Sequence, residues 1–348
     1  MKILYIDYMS PKGHEVFNTV QLNSILNLGC EIRLVVCGNF LNNSKANEKI
    51  RITRIPETLE QHEVSALTVR LRDIRRLLWI KNNINIKSYD KVIFSSYDIL
   101  SLFFFRSRYP IYLINHNNVD QFDSRIKLFL TKHLPSNFKH IALNEYMMDK
   151  LKIVLPGKIV EYVPHGYLEP TTRDKRPSCL KEGEKFIFCP VNRNYDLSLM
   201  DAVLKSEILD TYLKEMNIKL FIKKQLANDS MLSNIQVIGM LDDEEYNYML
   251  SKAVAVLLPY GKDFRYRCSG ILFECIARQT PIIATPREAL KIYKDKIDIH
   301  FFSNVNDFIG AMNYALERRP TKYDIGCYKP DLYWKRILID KNDGIKRS

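Results

Sequence analysis

Strand-like runs that are apolar on both faces alternate with helix-like runs along almost the whole chain, and that alternation leaves few folds open. KILYID (2–7) reads as a strand, FNTVQLNSILNLG (17–29) as a helix closed by Gly29, and EIRLVVCG (31–38) as the next strand. A long helical segment over 62–84 follows, then KVIFSS (91–96), IYLINH (111–116), a helix near 122–133 and HIALN (140–144). Strands joined through helices run parallel, and strands apolar on both faces need cover on both, so the pattern predicts a doubly wound α/β sheet. After the polar, proline-flanked stretch EPTTRDKRPSCLKEGEK (169–185) the pattern restarts. KFIFCPV (185–191), IKLFIKK (218–224), NIQVIG (234–239), AVAVLLP (253–259), PIIAT (281–285) and IHFFS (299–303) are the strands of the second half. At 348 residues the chain exceeds what one core supports. Two α/β domains, 1–165 and 166–348, are therefore expected. Ligands of open α/β sheets bind beyond the carboxyl ends of the strands, so the cleft between two such domains is the expected site.

The net charge of +12 points either to a polyanionic partner, whether nucleic acid, an anionic membrane surface or a phosphorylated substrate, or to no more than a basic proteome background. Seven cysteines without regular spacing sit mostly in apolar runs, where a thiol behaves as a small hydrophobe, and no Cys-x-x-Cys pair indicates zinc. MKILYIDYMS fails as a signal peptide because Asp7 breaks its short apolar run, and no later window has the length of a spanning helix. A cytoplasmic protein is expected, one that meets a membrane only from its inner face.

The stretch PYGKDFRYRCSGILFECIARQTPIIATP (259–286) carries the sharpest chemical signal. Ser269 suits a helix N-cap and Gly270 allows close approach, so the amides of Ser269, Gly270 and Ile271 form a candidate phosphate or diphosphate cradle. Glu274 lies one turn further in, at the same mouth. Two readings stand: a carboxylate that accepts from ligand hydroxyls, or an ordinary capped helix whose acid is satisfied by a neighbouring arginine.

The order of motifs around this helix is more specific than any one of them: VPHG (163–166), PVNR (190–193), NIQVIGMLDDEEYNYML (234–250), AVAVLLPY (253–260) and SGILFECIARQTPIIAT (269–285). Over residues 160–290 it resembles the family-4 glycosyltransferases, and the first half is similar to them in topology. The resemblance implies the GT-B fold, two Rossmann-like domains facing each other across a cleft, the first binding acceptor and the second the nucleotide sugar, with the last helix packing back on the first. It implies that the amides of Ser269, Gly270 and Ile271 hold the donor diphosphate, that Glu274 binds the ribose hydroxyls, and that the Met240-Leu241 backbone faces the nucleobase. Arg193 corresponds to the family's diphosphate arginine. No lysine follows it at the expected distance, so Lys223 or Lys224 is the substitute, against a plain solvated pair at a strand end. The family's first glutamate falls at Tyr266, flanked by Arg265 and Arg267. Tyr266 becomes a candidate donor contact, and the sugar and stereochemistry stay open.

An inverting transfer needs a general base on the acceptor hydroxyl, for which the strand-end candidates in the first half are His14, His116 with Asp120, and Glu145; the resemblance places His116 as a cleft-facing substrate contact. Gly13 and His14 lie in a loop suited to approach an acceptor. Structural roles for these residues, and capping roles for Asp120 and Glu145, are the competing readings. LTVRLRDIRRLLWIKNN (67–83) sets Leu67, Leu71, Ile74 and Leu78 on one helical face among arginines. That face either lies on anionic lipid or packs on the sheet.

The expected activity is sugar transfer from a nucleotide-sugar donor of UDP or GDP type to a glycan or lipid-linked acceptor. By analogy it is retaining and metal-independent, with no cofactor beyond the donor substrate and no Asp-x-Asp metal motif. A sugar-nucleotide epimerase on the same fold is the alternative. A basic nucleic-acid-binding protein is a third class, disfavoured because the basic residues are dispersed and no nucleic-acid module is present.

Overall fold

Adjacent β1 residues pack into opposite layers, Ile3 and Tyr5 with one buried cluster and Leu4 and Ile6 with another. This is the two-sided burial that the strand composition demands. The computed structural model describes residues 1–9, 14–38, 49–59, 65–103, 105, 109–171, 173–191, 194–223, 232–317 and 323–340. It divides into two units. Unit 1 comprises Met1–Gly166, Tyr266–Cys268 and the described residues 328–340, and unit 2 comprises Tyr167–Arg265 and Ser269–Cys327.

Unit 1 is a seven-stranded parallel sheet in the order β3-β2-β1-β4-β5-β6-β7. The strands are β1 (Lys2–Asp7), β2 (Glu31–Val36), β3 (Ile50–Arg54), β4 (Lys91–Ser96), β5 (Ile111–Ile114), β6 (Phe138–Ala142) and β7 (Val160–Tyr162). The helices are α1 (Glu15–Asn27), α2 (Ala66–Asn83), α3 (Ile99–Leu102), α4 (Arg125–Lys132) and α5 (Glu145–Val154). Unit 2 is a six-stranded parallel sheet in the order β10-β9-β8-β11-β12-β13. Its strands are β8 (Lys185–Cys189), β9 (Ile218–Lys223), β10 (Ile235–Ile238), β11 (Ala255–Leu258), β12 (Ile282–Ala284) and β13 (Ile299–Phe301). Its helices are α6 (Leu197–Leu204), α7 (Glu207–Glu215), α8 (Asp243–Lys252), α9 (Gly270–Arg278), α10 (Glu288–Lys291) and α11 (Val305–Glu317). The chain then returns to unit 1 as α12 (Asp331–Lys335).

Polar and apolar contacts together fix that return. Trp334 is fully buried, and its indole N–H donates to Gln21 Oε1 at 2.7 Å. Gln21 in turn donates to the carbonyl oxygen of His165 at 2.8 Å. Asp331 accepts from Ser24 Oγ at 3.0 Å and from Asn27 Nδ2 at 2.9 Å. A buried tryptophan with a satisfied N–H is worth several kcal/mol against truncation, about 3–5 by analogy with other cores.

Two expectations follow for unit 1. Gly166 has φ +74, and a Cβ there would lie 2.5 Å from Val20 Cγ1 and 2.8 Å from Pro330 Cγ. Gly29 has a similar φ of +76 but open space around it. Gly166→Ala is expected to lose at least about 2 kcal/mol in chemical denaturation, the sum of backbone strain and overpacking, whereas Gly29→Ala loses only the backbone share. An equal loss at both positions would show that the contact with Val20 and Pro330 carries no weight.

His140 on β6 is fully buried and neither ring nitrogen has a hydrogen-bond partner. Burial, with the Lys158 charge adding to it, pushes its imidazole down to about 4. The unfolded chain takes up this proton near pH 6.5 and the folded chain does not, so stability is full above pH 6.5 and falls towards pH 4. His140→Phe is expected to flatten that acid limb of the stability curve by roughly 3 kcal/mol, measured as urea midpoints across the pH range.

Candidate functional site

The strand order of unit 2 reverses between β8 and β11. Crossovers leave these two neighbours in opposite directions, so their carboxyl ends border a crevice that no helix fills. The loops after the two strands are joined there. Asp196 N–H donates to the carbonyl of Pro259 at 2.8 Å, Gly261 N–H to that of Asn194 at 2.8 Å, and Tyr195 and Tyr260 form an antiparallel bridge.

Helix α9 follows β11, and Ser269 is its N-cap: extended in backbone, 3% exposed, its Oγ accepting from Leu272 N–H at 3.0 Å. The Tyr260 hydroxyl lies 2.6 Å from the same oxygen. Tyr260 stacks on Phe264 with ring centres 4.0 Å apart, and burial pushes its phenol upward, so it serves as a neutral hydroxyl. The cap satisfies the third amide of the helix. Those of Gly270 and Ile271 have no acceptor inside a helix that begins here, and they emerge at its positive dipole end.

Glu274 is half-buried one turn further along, and its side-chain partner is a tyrosine. The Tyr246 hydroxyl donates to Glu274 Oε2 at 3.1 Å. Arg278 instead donates to the main-chain oxygen of Glu274 at 3.0 Å and to Asn247 Oδ1 at 2.7 Å. Burial raises the Glu274 carboxyl above its ordinary range, while the Tyr246 hydrogen bond and the Arg278 and Lys223 charges oppose it. Lys223, at the end of β9, sits with Nζ 5.0 Å from the centre of the Tyr246 ring. Its ammonium is lowered by burial, against the attraction of Glu274 and Asp243. Lys223, Tyr246 and Glu274 thus form one cluster on the helix α9 side of the sheet. Met240 and Leu241 follow β10, with Met240 75% exposed.

A cavity of about 790 Å³ opens in unit 2 beyond β12 and β13, lined among others by Asp196, Thr285, Arg287, Phe302, Ser303 and Asn304. Ser269 and Glu274 do not line it, but Tyr260 connects the two places. Its carbonyl accepts from Thr285 Oγ1 at 2.8 Å and from Arg287 Nε at 2.7 Å. Arg287 also pairs with Asp196 at 3.0 Å.

In unit 1 the order reverses between β1 and β4, and polar side chains gather at those strand ends. Asp7 accepts from Asn18 Nδ2 at 2.6 Å and from the Ser96 hydroxyl, and Asn18 Oδ1 accepts from Tyr5 at 2.9 Å and from Ser95. His14 Nδ1 lies 3.9 Å from Asp7 Oδ2, and the His14 ring stacks on His116 at 4.3 Å. Phe17 packs on both His116 and His165, at 4.5 and 4.9 Å. Burial lowers all three imidazoles, His165 to about 4, and the neighbouring histidines add to the effect at His116 and His165; Asp7 opposes the shift at His14. The rings are therefore neutral near pH 7. His14 Nδ1 and His116 Nε2 are buried nitrogens without a hydrogen-bond partner, suited to donate to or accept from a hydroxyl group.

Asp120 and Tyr266 lie together. Both belong to unit 1, where the Asp120 carboxylate pairs with Arg267 and accepts from the Tyr266 N–H at 2.8 Å, and the Tyr266 ring stacks on Tyr146 at 5.3 Å. Glu145 opens α5, whose N-cap is Asn144. Arg193, Lys224 and Gly13 lie outside the described residues. Tyr246, Tyr260 and Arg287 were not visible as site residues in the sequence. Only the strand-end positions of Tyr260 and Arg287 could have flagged them.

The fold and the placement of these clusters at the strand-order reversals define an α/β protein of the GT-B type. No protein-family model and no curated protein sequence matches the chain. Solved structures do. The chain is similar to a sucrose-phosphate synthase from Thermosynechococcus elongatus (TM-score 0.65, 12% identity, covering 95% of this chain and 92% of that one). It is similar to HepE of Anabaena in complex with UDP and glucose (TM-score 0.60, 11% identity, 91% and 90% covered). It is also similar to a UDP-GlcNAc 2-epimerase from Neisseria meningitidis bound to UDP-GlcNAc (TM-score 0.59, 14% identity, 91% and 92% covered).

The raised Glu274 carboxyl gives a test of the cluster. An acid that holds its proton more tightly when folded loses stability as pH rises from its unfolded value, near 4.5, through the folded one. Glu274→Gln is expected to melt higher than wild type at pH 8 and to converge with it near pH 4. A variant that melts lower at pH 8 would show that the ionised carboxylate is a net stabiliser.

Proposed function

We propose that the chain is a glycosyltransferase that moves a sugar from a UDP- or GDP-linked donor to a glycan or lipid-linked acceptor. The observation that carries this reading is the Ser269-capped start of α9 with Glu274 one turn beyond it, at the strand-order reversal of unit 2. In this reading the Gly270 and Ile271 amides, with Ser269, hold the donor diphosphate, and Glu274 accepts from the ribose diol. The backbone of Met240 and Leu241 faces the base. Lys223 adds positive charge, and Arg193 and Lys224 are further proposed phosphate contacts. His116 and His14, neutral and with open ring nitrogens, contact the acceptor or the transferred sugar in unit 1.

Departure of the diphosphate asks for charge stabilisation, which the helix amides and a cation provide. A retaining, metal-independent course without a cofactor is proposed on the same ground. The similarity to HepE with UDP and glucose, and to a UDP-GlcNAc-bound epimerase, supports a nucleotide-sugar ligand. No described helix is long and apolar enough to cross a membrane. A cytoplasmic site of action is proposed, and a surface for peripheral attachment is argued separately below.

Calorimetric titration of UDP-, GDP-, ADP- and CDP-sugars should give saturable binding of one of them. Glu274→Ala should weaken that binding by about tenfold to a hundredfold, the worth of charged hydrogen bonds. Absence of binding by any nucleotide sugar to the folded protein would remove the reading. The presence of epimerases among the similar structures favours one second reading, epimerisation of the donor itself. Incubation with the bound donor alone decides between them. An epimerised sugar nucleotide means epimerase, and an unchanged donor that is consumed only when acceptor is added means transferase.

A further inference from the structure

The apolar stripe of α2 does not pack on the sheet. The face of α2 turned to the core carries Asp73, Arg76, Leu77 and Ile80, all buried, with Arg76 donating to the Tyr8 carbonyl at 2.9 Å. Leu67, Leu71 and Leu78, spaced to share one helical face, are 64%, 46% and 50% exposed, and Ile74 between them is half-buried. Helix α3 packs against both α2 and α4, and Leu77 and Ile80 of α2 join Leu102 and Leu134 in one core layer. Helix α4 therefore covers the same face of the unit 1 sheet. It too turns apolar side chains outward, Ile126 at 68% and Phe129 at 57% exposure.

The exposed charges on the two helices have one sign. Arg70, Arg75 and Lys81 on α2, and Arg125 and Lys132 on α4, are exposed, and none forms an ion pair among the described residues. Within α2 the only acid is the buried Asp73, and α4 has none. The surface thus combines an exposed Leu-Ile-Phe ridge with flanking cations and no exposed carboxylate on either helix.

We infer that this α2–α4 face docks on an anionic lipid bilayer, the ridge entering the acyl boundary and the five cations meeting lipid headgroups. Interfacial helices use this combination of buried apolar area and attraction to anionic lipid. A second copy of the chain would set the same positive charges against themselves. A nucleic-acid backbone would leave the leucines and Phe129 without a partner. The inference stands apart from the transferase reading, because none of these side chains belongs to the donor cluster.

The test is vesicle co-sedimentation of the full chain with phosphatidylcholine alone and with phosphatidylcholine–phosphatidylglycerol mixtures, at low and high salt. Two variants accompany wild type: Leu71→Gln with Phe129→Gln, and Arg75→Glu with Arg125→Glu. All four positions are exposed, so unchanged melting temperatures and unchanged nucleotide-sugar titrations serve as controls. Wild type is expected to sediment with the anionic vesicles and not with the neutral ones, and to be released by salt. The charge pair should weaken partitioning at least about tenfold, at roughly 1 kcal/mol for each cation, and the apolar pair should weaken it as well. Equal binding to both vesicle types, or binding insensitive to the variants, overturns the inference. So does failure to bind either vesicle. A concentration-dependent dimer in analytical ultracentrifugation that the apolar pair abolishes would assign the face to self-association instead, and DNA binding abolished by the charge pair would assign it to nucleic acid.

Discussion

The constraint on which the rest depends is the handedness of the crossovers in a parallel sheet. Right-handed connections carry helices to one face when the order runs one way and to the other face when it runs back. Where the order turns, between β1 and β4 and again between β8 and β11, the strand ends are left uncovered. Both polar clusters occupy these openings. An apolar sheet can tolerate Asp7, Asn18 and Ser95 at one of them because each finds partners in the same cluster. At the other, Ser269 spends its oxygen on a helix amide and a tyrosine hydroxyl, which fixes where α9 begins.

Burial sets the charge state of what these openings present. Unit 1 offers neutral imidazoles, because removing them from water disfavours their protonated form and they crowd one another. Unit 2 offers a carboxyl raised by the same effect and restrained by a tyrosine hydroxyl, an arginine and a lysine. Hydroxyl-rich ligands suit both surroundings. A neutral ring nitrogen and a carboxylate oxygen each accept from an alcohol, and neither requires the alcohol to be ionised.

Much of this was legible in the residues. The central strands announced themselves as apolar runs, and Ser269-Gly270 gave the start of α9 together with the position of Glu274. The edge strands did not. β3, IRITR, is half-exposed and carries two arginines, and β7 is only three residues long, so neither shows the apolar run that marks a strand buried on both sides. The partner of Glu274 was illegible for a different reason. Tyr246 lies 28 positions away on α8, and only the packing of α8 against α9 brings the two together. In α2 the sequence displayed an apolar stripe and left its direction undecided, because Leu77 and Ile80, beside a buried arginine, supply a second inward face that helical spacing alone does not rank.

The return of residues 328–340 to unit 1 changes the order in which this protein can be completed. Synthesis delivers β1 to β7 first, yet the α1 layer lacks Trp334, Ile337 and Leu338 until residues 328–340 arrive. Until then Gln21 Oε1 lacks its indole partner, and a pocket the size of a tryptophan side chain is open to water. Unit 2 lies wholly within the chain between these events. The unit that begins first is thus the one that closes last, and a nascent chain waiting for residues 328–340 exposes apolar surface on α1 throughout.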